Sequence, residues 1–136
     1  YITELWFDGM VKTDIFMNGS KAVDSLKMNW KVPAEYAKYL LNPLFTKWQG
    51  KDGEKLNLPY TNGQDFMLWT MGIENGLCFH PSSQANFFLT QNSKNYTISR
   101  KGDTVSIDVD IINRKAVLKK QAQYTFVICF YQTFQC

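Results

Sequence analysis

Cys78 and His80 stand two residues apart in "LWTMGIENGLCFHP", residues 68–81. In a strand, positions i and i+2 share a face, so a thiol and an imidazole there would be the raw material of a Cys–His nucleophile. Such a dyad also needs a third group to orient the base and a site for the oxyanion. The chain offers no such set: it has no G-x-S-x-G elbow, no phosphate loop and no H-E-x-x-H. His80 is the only histidine and is read as a polar residue at a strand end. The three cysteines, Cys78, Cys129 and Cys136, lack C-x-x-C spacing. One histidine does not complete a usual zinc set, so neither a metal nor another cofactor is expected. An odd count argues against a disulfide scaffold but is compatible with one bridge. Cys129 lies in an apolar strand pattern and is read as a small buried hydrophobe with a free thiol.

Carboxylates are the next candidates. Asp65, Asp103, Asp108 and Asp110 invite a glycosidase pair, and Asp108 and Asp110 would sit roughly 6.5–7 Å apart on one strand face, near the separation such chemistry uses. Alternation with Val and Ile, however, puts both on a solvated face and not in a cleft. No residue is therefore assigned a catalytic role. Aromatic rings suggest recognition instead, because a ring face takes the apolar C–H surface of a sugar while nearby polar groups take its hydroxyls. Trp69 falls within a strand and reads as core. Trp48 and Tyr60 flank a long polar connection and, with Asp65 and His80, form the candidate glycan-binding set.

The elements that must position these residues are mostly strands. Val11, Thr13, Ile15 and Met17 alternate ahead of an "NGSK" turn at 18–21. Leu26, Met28, Trp30 and Val32 alternate with Lys27, Asn29 and Lys31, as do Val105, Ile107, Val109 and Ile111 with Ser106, Asp108 and Asp110. "RKGD" at 100–103 makes 96–112 a hairpin. The 68–81 stretch reads as another, with Glu74-Asn75-Gly76 supplying residues that tolerate positive φ. "PAEYAKYLLN" at 33–42 predicts a helix, with Pro33 in its first turn, Glu35 complementing the dipole and Pro43 ending it. The fold class expected is all-β: an antiparallel β-sandwich of about eight or nine strands with one short helix.

The last strand, "YTFVICFYQTF" at 124–134, is apolar on both faces. Tyr124, Phe126, Ile128 and Phe130 point one way, and Val127, Cys129 and Tyr131 the other. One face meets the opposing sheet. The other needs cover from the 33–42 helix or from a domain outside this segment, which marks Val127 and Tyr131 as candidate interdomain contacts.

Length and composition set the frame. With 136 residues, 45% of them hydrophobic and 20% charged, the chain fits one globular domain, 1–136, with a real core. A net charge of +3, with the basic residues grouped at most in pairs, forms no stripe for nucleic acid. No apolar run is long enough for a membrane span. The chain begins at Tyr1 and carries no signal peptide, so it is read as a segment of a longer chain. Sequons at Asn18 and Asn95 mark surface glycosylation if the source is a eukaryotic secreted protein.

Several stretches resemble a known family: "ELWFDGMVKTDIFM" (4–17), "AVDSLKMNWKVPAEYAKYL" (22–40), "LPYTNGQDFMLWTMGIENGLCFHP" (58–81), "YTISRKGDTVSIDVDII" (96–112) and "QYTFVICFYQTFQ" (123–135). Their order resembles the non-catalytic β-sandwich that precedes the (β/α)8 barrel in glycoside hydrolase family 123 and related bacterial proteins. Relatives carry "GLCWF" followed by acidic residues, whereas here Phe79 is followed by His80-Pro81-Ser82-Ser83, so the contact those acids make is not carried over. The family's catalytic carboxylates lie on the barrel. The resemblance implies a secreted, periplasmic or cell-surface accessory domain that is not itself an enzyme. It packs against a catalytic barrel in the same chain and shapes the glycan cleft of a parent glycoside hydrolase. The alternative is a free-standing carbohydrate-binding module or surface adhesin.

Overall fold

The structure is a computed structural model. It describes residues 2–6, 9–18, 22–41, 48–59, 68–73, 75–83, 85–91, 93–118 and 121–132. Among these are twelve strands: β1 Ile2–Leu5, β2 Met10–Asn18, β3 Ala22–Val23, β4 Leu26–Pro33, β5 Tyr39–Leu41, β6 Lys55–Pro59, β7 Leu68–Met71, β8 Asn75–Pro81, β9 Lys94–Lys101, β10 Thr104–Ile112, β11 Ala116–Val117 and β12 Gln121–Gln132. They form a six-stranded sheet in the order β1-β2-β12-β8-β7-β5, a four-stranded sheet in the order β4-β10-β9-β6, and a short β11-β3 pair. The strand pairs are antiparallel. The all-β sandwich is as the alternation predicts, with more and shorter strands than the eight or nine expected.

The core lies between the two larger sheets. β10 sends Val105, Ile107, Val109 and Ile111 inward, and each is at most 1% exposed. From the facing sheet come Leu68, Leu77, Phe79, Tyr124 and Phe126. Trp30 of β4 meets Phe79 of β8 with ring centroids 4.4 Å apart, which ties the edge of the small sheet to the middle of the large one. The other face of the small sheet is polar: Lys27 pairs with Asp110 at 3.1 Å, and Asn29 donates to Asp108 at 2.7 Å. The two carboxylates are thus solvated and engaged. The 96–112 hairpin forms as read, and Gly102 turns it with φ 57°, a conformation that costs glycine least.

The helix expected over 33–42 is not there. Ala34–Ala37 make a single 3-10 turn, and Tyr39–Leu41 become β5, paired with Met71, Thr70 and Trp69. Two facts displace the helix. The Trp48 indole N–H donates to the Ala37 carbonyl at 2.9 Å, occupying the acceptor a helix would give to residue 41. Pairing with β7 then offers the next three residues a ladder that the local pattern could not foresee. The turn carries the chain from β4 in one sheet to β5 in the other.

Candidate functional site

The site is built on the C-terminal half of β12, which runs between β2 and β8 in the large sheet. Register fixes its faces. Tyr124, Phe126 and Ile128 point inward with Ile15, Thr13 and Val11 of β2, and Phe126 and Ile128 also face Pro81 and Phe79 of β8. Toward the strand's end this inner face runs out of cover. Ile128 is half-buried, and Phe130, expected to point into the core, is 58% exposed. Beside Phe130 lies an apolar groove of about 450 Å³, whose lining includes Trp30, Tyr36, Leu77, Ile128 and Tyr131. The Trp30 indole nitrogen is buried without a hydrogen-bond partner.

The outer face of the same strand divides into a polar and an apolar half. At the polar end Asp14 accepts from Thr125 at 2.5 Å and from Gln123 at 3.2 Å. It also pairs with Lys12 at 3.0 Å, while Lys12 reaches Glu4 at 3.7 Å. These contacts, the Thr125 hydroxyl first and Lys12 next, hold the Asp14 carboxyl below its ordinary pKa. At the apolar end one row crosses four strands: Met10 on β2, Cys129 on β12, Cys78 on β8 and Trp69 on β7. Val127 faces His80 and Lys12, and Tyr131 faces Gly76. The Tyr131 ring lies over Gly76, where an added Cβ would come within 2.4 Å of it. Its hydroxyl donates to the Thr70 carbonyl at 3.0 Å, and its edge meets Trp69 with centroids 5.5 Å apart. An aromatic side chain laid over a strand glycine supplies the packing that glycine lacks.

The candidate residues are therefore scattered. Trp48 is 7% exposed with its N–H spent on Ala37, so it is a packed core residue and not an exposed stacking platform. A ring beside a polar connection looks the same in sequence whether it folds under or out. Tyr60 and Asp65 lie outside the described residues. His80 is half-buried on the outer face, its Nδ1 3.4 Å from the Pro81 carbonyl, and shares no site with Trp48. Val127 is buried and Tyr131 half-buried. Val127 and Cys78 are 9% and 3% exposed yet stand apart from the core cluster: their own neighbours on the outer face shield them. Cys129, expected to be buried, is half-buried. Trp69 is half-buried on the outer face, not in the core. Of the sequon residues, Asn18 is exposed, whereas Asn95 is 2% exposed with both side-chain polar atoms unpartnered.

Phe130 and the groove were missed by reading sequence alone. An alternating strand end carries no mark of where the opposing sheet stops. Among the described residues no group of three or more His, Cys, Asp and Glu gathers to hold a metal, and no helix is long and apolar enough to cross a membrane. Comparison with protein-family models, curated proteins and solved structures finds no match.

Proposed function

We propose that this chain is a non-catalytic accessory β-sandwich that docks a neighbouring domain through the C-terminal end of β12. One observation carries the reading. A strand in the middle of a six-stranded sheet ends apolar on both faces, with Phe130 exposed on one side and Cys129 and Tyr131 only half-covered on the other. Central strands are normally covered where they are apolar, and uncovered apolar surface marks an interface. The sequence resemblance supplies the partner's class: a (β/α)8 barrel in a secreted or cell-surface glycoside hydrolase-like chain, with the sandwich forming one wall of its glycan cleft. The second reading, a carbohydrate-binding module or surface adhesin, draws on the groove, whose volume lies in the range of small-ligand sites.

The test is hydrogen exchange on residues 1–136 alone and on the same residues followed by the downstream coding sequence. Docking predicts added protection at 126–132 and 75–80 in the longer chain, with Phe130→Glu removing it. Unchanged exchange, or a coding sequence that continues without alternating strands and helices, would overturn the reading. Saturable protection of the groove by an oligosaccharide added to 1–136 would favour the second.

A further inference from the structure

The register of the large sheet sets Cys78 of β8 directly opposite Cys129 of β12. They are far apart in sequence, so only the fold makes them neighbours. Directly opposed residues on antiparallel strands have Cβ atoms about 4.5–5.5 Å apart. Both are thiols in this structure, and both side chains point to the outer face, where Met10 and Trp69 close the row at its two ends.

We propose that Cys78 and Cys129 are a modification site, a cross-strand dithiol that closes to a disulfide by exchange with a low-molecular-weight disulfide. Cys129 is half-buried and Cys78 is 3% exposed, which orders the steps. The Cys129 thiolate attacks one sulfur of the small disulfide, forming a mixed disulfide and expelling one small thiolate. The Cys78 thiolate then attacks Sγ of Cys129, forming the protein disulfide and expelling the second. The protein dithiol loses two electrons, the small disulfide gains them, and the two thiol protons pass to the departing thiolates.

The geometry makes the bond reversible. A disulfide wants its Cβ atoms about 3.5–4.5 Å apart, so closure draws β8 and β12 together and strains the ladder between them. Strained bridges are the more easily reduced ones. The pair is thus a removable staple across the middle of the sheet. Burial, with Cys129 nearby, pushes the Cys78 thiol up to about 11. Only the thiolate attacks, so the closing step should quicken roughly tenfold per pH unit between about pH 7 and 10.

The test is to incubate the native chain with oxidised glutathione, alkylate what remains, and map the peptides by mass. The expected product has lost two hydrogens, links the Cys78 peptide to the Cys129 peptide, and is alkylated at Cys136. Cys78→Ser should halt at a glutathione adduct on Cys129. Denaturant titration should show the closed form's unfolding constant lowered, but by less than the roughly thousandfold that loop entropy alone gives for a ring of about 50 residues, because strain in the closed ladder offsets part of it. A bridge to Cys136, no bridge at all, or a 78–129 link no more abundant from native protein than from urea-unfolded protein would each overturn the assignment. Because the measurement needs no partner domain, its outcome is separate from that of the docking reading.

Discussion

Gly76 shows how one missing side chain can hold a sheet together. Its sequence neighbourhood reads as a turn, but Gly76 lies within β8 and is not among the positive-φ glycines. What it supplies is space: a Cβ there would meet the Tyr131 hydroxyl at 2.2 Å and the Thr70 carbonyl at 2.3 Å. Gly76→Ala should therefore destabilise the chain by about 1–3 kcal/mol or more, the cost of overpacking. Tyr131→Ala in the same chain should recover only part of that, because the backbone clash stays. Urea midpoints of the two variants check both statements. Asp14 gives a pH signature. Its folded pKa lies below that of an unfolded carboxylate, so the stability it contributes is full above the unfolded value of about 3.9 and is lost as pH falls through the lower, folded value. The stability gap between the native chain and Asp14→Asn should be constant from pH 7 to 5. It should close toward pH 2, as followed by denaturant titration at each pH.

At the scale of elements, Trp48 and the 3-10 turn are one device. Trp48→Phe keeps most of the packing but leaves the Ala37 carbonyl without its donor, which should cost about 1–3 kcal/mol. Trp48→Ala should cost about 3–5 kcal/mol. Thermal unfolding of the two variants distinguishes hydrogen bond from volume. Much of the fold was legible because period-two alternation is a local signal: β4 and β10 face the way Trp30 and Ile107 said they would, and Gly102 marks its turn. The 33–42 helix failed because β5 is decided by pairing with β7, about thirty residues on. The candidate site failed for a related reason. Whether Trp48 or Phe130 is covered depends on what distant segments pack over it, which no window of sequence contains.

At the scale of the whole molecule, the two sheets are unequal, six strands against four, and the end of β12 leaves Phe130 exposed. Phe130→Glu should leave the stability of residues 1–136 within about 0.5 kcal/mol, as for other exposed positions. Ile107→Ala, in the centre of the core, should cost about 2–5 kcal/mol. A large loss for Phe130→Glu in a denaturant titration would mean that the groove is closed in solution. The same topology governs the order in which the chain can be assembled. β2 pairs along its length with β12, Asn18 opposite Gln121, about a hundred residues later in the sequence. At ribosomal rates of roughly 5–20 residues per second, the N-terminal hairpin of β1 and β2 waits several seconds for the strand that completes it, exposing the apolar row Val11, Ile15 and Met17 meanwhile. Of the six strands of the large sheet β12 is made last, so a chain arrested before it has every strand of the small sheet but only two separate pieces of the large one, β1-β2 and β8-β7-β5.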